Sequence, residues 1–215
     1  MKVKQNVPMR NDPKVFVDFF RVLGWTSTRL ADRIVAELTS GHRHYHGVGH
    51  HALMLQKIRN LGQSHFYREL LAATFFHDLV YDASRTDNER KSADIALDLL
   101  GRYDFDLDFI VDAVLATQEH KLFVPTTPRE TAIQHFLRAD LMILWSDEAR
   151  YRWYADGIRK EYAHVPNDLY RVGRPRVLDR LGAELHPHLN EAEQAALGCN
   201  IAWEKAELFA GTFDV

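Results

Sequence analysis

The sequence predicts an all-α protein, a single helical bundle of nine to ten helices, and three observations carry that expectation. Apolar residues recur every three or four positions along most of the chain. Segments with that spacing are repeatedly closed by Gly or Pro. No stretch of any length alternates apolar with polar residues, as a half-buried strand does. The 215 residues are 46% hydrophobic and 27% charged, a balance that fits one globular domain with its own core. Residues 1–12 read as a short lead and residues 13–215 as that domain.

The elements follow in order. Asp12 can cap a helix opened by Pro13, with Val15, Phe16, Phe19, Phe20 and Leu23 inward and Gly24 as its stop. Ser27 or Thr28 caps a second helix carrying Leu30, Ile34, Val35 and Leu38, ended by Gly41. His42 to His46 read as a turn before a helix over about Val48–Leu61. From about His65 to Asp78 runs a helix whose stretch Leu70 to Phe76 is apolar on every face, the mark of a buried helix. Val80 to Arg85 is a loop, and Thr86-Asp87-Asn88-Glu89 reads as a capping box for a helix ended by Gly101. Further helices are expected over Leu107–His120, Glu130–Trp145, Asp147–Ala163, 167–181 and 190–210.

Composition narrows the classes of function. A net charge of -3 with mixed signs argues against a broad nucleic-acid surface, though not against a local phosphate pocket. Cys199 is the sole cysteine, so no internal disulfide forms and a reducing, cytoplasmic setting is expected. No apolar run approaches the ~18 residues of a membrane span. A homodimer is compatible with the chain, but nothing in the sequence fixes an oligomeric state.

Chemistry concentrates at His77-Asp78, which closes the buried helix. A buried imidazole or carboxylate is costly unless it is paired or bound to a metal. His46 and His50 are spaced to share a helix face one turn apart, and Asp140 interrupts the apolar run from Phe136 to Leu144. Helices from separate parts of the chain thus each bring an imidazole or carboxylate out of an apolar surrounding, a mixture suited to a catalytic divalent metal. A satisfied buried polar network is the blander alternative.

The order His … His-Asp … Asp resembles the metal-binding signature of the HD-domain superfamily of all-α phosphohydrolases. Arg43-x-Tyr45-His46-x-x-x-His50, Phe76-His77-Asp78-x-Val80-Tyr81-Asp82, Asn88-Glu89-x-x-Ser92-Ala93, Ala116-Thr117-x-x-His120 and Ala139-Asp140-Leu141-x-Ile143-Leu144 resemble its bacterial predicted metal-dependent phosphohydrolase group. Ile158-Arg159-x-Glu161-Tyr162 and Gly173-Arg174-x-x-Val177-Leu178 look like the same group. The resemblance implies His50, His77, Asp78 and Asp140 as metal ligands, with Mn, Mg, Co, Ni or Fe as the ion. It implies a small phosphorylated substrate, a nucleotide above all, cut by a metal-activated water. Similarity of the Tyr-His-x-x-x-His block to cyclic-nucleotide phosphodiesterases implies His46 as general acid, although Gly47 stands where those enzymes have Asn.

Asp82 and Glu89 are candidates to orient the attacking water; Asp82 could equally satisfy its loop and Glu89 its cap. Arg43 and Arg159 could pair with phosphate oxygens, the alternative being salt bridges, as for Arg174. His120 is open between a fifth ligand, a phosphate contact and a helix-end cap. His42, His44 and His51 read as neighbours of the site in sequence only. Two rivals accompany the hydrolase. One is a di-iron oxygenase of the same fold, like inositol oxygenase. The other is a non-catalytic nucleotide-binding sensor.

Overall fold

The structure, a computed structural model, describes residues 12–214. The expected lead over residues 1–11 lies outside the described residues, as does Val215. Ten α-helices make up the domain, and no strand occurs among the described residues: α1 (Val17–Leu23), α2 (Arg29–Leu38), α3 (Val48–Arg59), α4 (Tyr67–Phe76), α5 (Asn88–Leu100), α6 (Leu107–Ala116), α7 (Pro128–Leu141), α8 (Glu148–Glu161), α9 (Asn167–Leu185) and α10 (Glu191–Ala210). Short 3-10 turns cover Pro13–Phe16, Met142–Trp145 and His186–His188. No helix is long and apolar enough to cross a membrane among these residues.

Helix starts follow the expected chemistry where a free side chain stands at the boundary. Asp12 accepts from the Lys14 amide at 3.1 Å ahead of Pro13. Thr28 accepts from the Ala31 amide at 3.2 Å. Gly24 takes the left-handed conformation, φ +73°, that releases α1 into the next turn.

At three places the structure departs from expectation. The box over Thr86–Glu89 does not form. Asp87 stands at the N-cap, but its two carboxylate oxygens accept from Arg85 at 2.7 and 2.6 Å rather than from the helix. The helix expected to reach His120 ends at Ala116, and His120 sits at φ +52°. The helix expected over 167–181 continues to Leu185 straight through Pro175, which withholds one backbone hydrogen bond.

Two large apolar clusters form most of the interior, and a small third one joins Tyr170 and Leu178 of α9 to Leu208 of α10. In the first, α4 is buried from Leu70 through Phe76 and packs against α1, α3 and α6. Phe75 meets Phe16 edge-on at 5.1 Å and Phe20 at 4.9 Å, while Phe76 meets Trp25 at 6.1 Å. The second cluster gathers Leu137 and Leu141 of α7, Tyr151, Tyr154 and Ile158 of α8, and Leu185 and Leu197 near the C-terminus. Helices α3 and α7 serve both: Met54 and Phe136 face the first cluster, Leu53 and Leu137 the second. Of the polar residues singled out in the sequence, His50 and Asp140 lie on these two shared helices, and His77 and Asp78 stand just past the end of α4.

Candidate metal centre and adjoining cavity

His50 belongs to the first turns of α3, His77 and Asp78 follow the last residue of α4, and Asp140 is near the end of α7. All four are buried or nearly so. Ligand atoms of His50, His77 and Asp78 lie within 4.8 Å of one another. His77 Nε2 is 3.1 Å from His50 Nε2 and 3.0 Å from Asp78 Oδ2, and His50 Nε2 is 3.7 Å from that oxygen. Asp140 Oδ1 closes in at 3.2 Å from His50 Nε2 and 3.8 Å from His77 Nε2.

These separations suit a common ion. Ligands roughly 2.1 Å from one centre stand about 3.0 Å apart at octahedral angles and about 3.4 Å apart at tetrahedral ones. The other ring nitrogens are engaged. His77 Nδ1 donates to the Thr74 carbonyl at 2.9 Å, and His50 Nδ1 meets the Tyr45 hydroxyl at 3.0 Å. Both Nε2 atoms face inward, 3.1 Å apart, where only a proton or a cation can lie between them. Asp140 Oδ2 is buried with no aligned hydrogen-bond donor, although His120 Nε2 stands 3.1 Å away. The residues present fit a divalent cation.

Electrostatics agree with the geometry. Burial pushes the Asp78 carboxyl up, but His77 and His46 outweigh it and hold the group well below the carboxylate range. Burial likewise opposes ionisation of Asp140, yet His120 and His50 hold it far below its ordinary value. For His77, burial is overcome by Asp78, its main partner, and the imidazole is raised to about 9. His51 is more than a neighbour in sequence. Its ring lies 5.0 Å from that of His77, Nδ1 bonds the Gly47 carbonyl at 2.9 Å, and burial beside two imidazoles lowers it well below 6.5.

His46 stands beside this centre under the control of Glu161, at the end of α8. The Glu161 carboxylate accepts from the amides of His44, Tyr45 and His46 at 2.8, 2.7 and 2.9 Å. It also meets His46 Nδ1 at 2.7 Å and accepts from the Tyr81 hydroxyl at 3.1 Å. Burial disfavours its charge, but His46 and the backbone donors lower it to about 2. Burial pulls His46 down in turn, and Glu161 with Asp78 more than compensate, so the imidazole is raised. Tyr81 stacks on the His46 ring at 4.1 Å. With Nδ1 held, Nε2 is the nitrogen left for chemistry.

A cavity of about 450 Å³ opens from this point, with His46, Asp78, His120 and Asp140 in its lining. Glu89, in the first turn of α5, also lines it. The remaining wall is mostly aromatic and aliphatic, including Tyr81, Tyr162 and Tyr170.

Three expected site residues have other partners. Asp82 lines a separate cavity, and its Oδ1 accepts from the Ser84 amide and hydroxyl at 2.9 and 2.6 Å. Arg43 is buried and donates to the carbonyls of His46, Asp78 and Leu79 at 2.8, 2.6 and 2.7 Å. Arg159 is buried as well. It donates to the carbonyls of Phe213, Tyr162 and Val165 and to Asn167 Oδ1, and it lies over the Tyr170 ring. Both guanidinium groups are spent on backbone, which is why neither faces the cavity as a phosphate clamp.

Sequence reasoning gave no role to Glu161, although it stood in a noted block; its one visible signal is a carboxylate on an otherwise aromatic and apolar helix face. Comparison with protein-family models, curated proteins and solved structures gives no match.

Proposed function

We propose that this protein is a metal-dependent phosphohydrolase acting on a phosphoester or phosphoanhydride of a small substrate, a nucleotide being the class its HD-type motifs suggest. The observation that carries the reading is the juxtaposition of two inward-facing imidazoles and two ionised carboxylates with a Glu161-held His46 at the edge of one cavity. A divalent cation held by His50, His77, Asp78 and Asp140 would polarise the phosphoryl group and make water a better nucleophile.

The side chains divide the remaining work. As the water oxygen bonds to phosphorus, Glu89 takes the water proton. His46, kept protonated by Glu161, gives its Nε2 proton to the departing oxygen. Tyr81 holds the imidazole plane by stacking, so the proton is delivered along one direction. His120, 3.1 Å from Asp140 Oδ2, holds that carboxylate in place and offers a second donor to a phosphoryl oxygen.

Purified protein is to be assayed for bound metal beside His77→Ala and Asp78→Ala, then screened for phosphate release from nucleotides with Mn, Co, Ni and Mg. About one ion per wild-type chain, lost in both variants, and metal-dependent phosphate release are expected. Two irons per chain with oxygen consumption would replace the hydrolase by an oxygenase. Nucleotide binding without turnover under any metal would make the protein a sensor. A wild type that takes up no ion would reduce the cluster to a buried polar network.

A further inference from the structure

Helix α9 closes the cavity on one side, and it is built against helix propensity at that point. Gly173 and Pro175 flank Arg174 in its interior, two residues that each weaken a helix. No packing accounts for the glycine: a Cβ built at Gly173 meets nothing within 4 Å, and Gly173 lines the cavity. Space, rather than backbone conformation or contact, is what the missing side chain provides.

Arg174 lines the same cavity and is about nine-tenths buried. Its Nε donates to Glu204 Oε1 at 2.7 Å, and Nη2 donates to the Tyr154 hydroxyl at 2.9 Å. Glu204 Oε2 accepts from the Tyr151 hydroxyl at 2.6 Å. Nη1 has no protein partner among the described residues. The charge of Arg174 is thus already matched by a buried carboxylate, while the two N–H groups of Nη1 are left over. One turn earlier, Tyr170 lines the same wall, with its hydroxyl buried behind it. Spare N–H donors beside a neutralised ion pair suit an uncharged acceptor such as a carbonyl oxygen better than a second phosphate.

We infer that the α9 wall, through Arg174 and the space left by Gly173, recognises an uncharged carbonyl-type acceptor on a planar organic group, and so selects which phosphate monoester enters the site. The aromatic lining supplies the faces on which such a group rests. The cavity of about 450 Å³ suits one small molecule rather than a polymer. The inference rests on the phosphohydrolase reading for its phosphate but not for its acceptor, which allows the two to be tested apart.

The probes are 4-carbamoylphenyl phosphate and phenyl phosphate as substrates, with 4-hydroxybenzamide and phenol as their uncharged products. Arg174→Lys keeps a cation beside Glu204 and removes the spare donors. Comparing the two substrates within each protein, and then between proteins, cancels their different leaving-group reactivity. The kcat/KM ratio of carbamoyl to plain substrate is expected to fall at least about tenfold in Arg174→Lys, mainly through KM. Calorimetry on the metal-free full chain is expected to show 4-hydroxybenzamide binding more tightly than phenol, a preference that Arg174→Lys loses. Gly173→Leu is expected to weaken binding of both while metal content stays at the wild-type level.

Phosphate release from both substrates with an unchanged ratio in Arg174→Lys, and no preference between the two phenols, would overturn the inference and leave the hydrolase standing. A phenol preference lost in Arg174→Lys without phosphate release from either ester would uphold the inference and remove the hydrolase. Neither turnover nor preference would overturn both.

Discussion

Arg43 illustrates how much of the site is held by groups that never touch a ligand. Its guanidinium gathers the carbonyls of His46, Asp78 and Leu79, two of which belong to proposed site residues. Truncation would leave three carbonyls, one buried and two partly buried, short of a donor. Arg43→Ala is therefore expected to lower stability by about 3–5 kcal/mol, measured by urea unfolding of the metal-free protein. Lysine, with one compact ammonium, is expected to recover less than half of that loss. A change below 1 kcal/mol for Arg43→Ala would mean that water replaces the guanidinium at no cost. His50, His77, Asp78 and Asp140 were legible in the sequence because each interrupts an apolar run or helix face. Arg43 and Arg159 were misread because an arginine's role depends on which oxygens the fold brings to it. Spacing along the chain carries no record of those carbonyls.

Among the elements, α4 was the most legible, since a run apolar on every face has one stable environment. The capping box at Thr86 was not. Its failure comes from a competitor two residues upstream, Arg85, whose reach to Asp87 depends on the loop that precedes it. The contact of α8 with the turn before α3 was equally hidden. There a Cβ at Gly157 would lie 2.9 Å from Tyr45 Cβ and 3.2 Å from the His44 carbonyl group, much of it backbone that cannot yield. Gly157→Ala must push the two elements apart, with a stability loss of about 1–3 kcal/mol. The same displacement would pull Glu161 away from His46. Gly157→Ala is thus expected to lower activity more than its folded fraction explains, with metal content unchanged. Activity falling only in proportion to the folded fraction would disconnect this packing from the site.

At the level of the whole molecule, the two large apolar clusters meet at α3 and α7, and Glu161, at the end of α8, contributes to behaviour in acid. Glu161 titrates at about 2 in the folded protein, against about 4.5 when unfolded. A depressed folded value means that the contribution is complete above about pH 4.5 and disappears as the pH falls towards 2. Its size is on the order of 3 kcal/mol. Wild type and Glu161→Gln, unfolded by urea at pH 7, 4 and 2.5 without metal, should therefore differ most at pH 7 and converge at pH 2.5. A constant difference across that range would show that Glu161 acts through shape alone. The fold class and the single domain were readable because helical periodicity and punctuation extend over the whole chain. The division into two large clusters was not, because α3 and α7 carry apolar residues on both sides and the pattern cannot say which partner each side meets.

The left-handed backbone of His120 has a consequence for any attempt to make this protein hardier. A residue with a Cβ in that region costs on the order of 1 kcal/mol, and glycine is exempt. A selection for thermal endurance alone would replace His120, since His120→Gly is expected to hold or raise the melting temperature. The same exchange removes the imidazole 3.1 Å from Asp140 and should lower turnover. Under the proposed phosphohydrolase, robustness and catalysis would pull on this one codon in opposite directions.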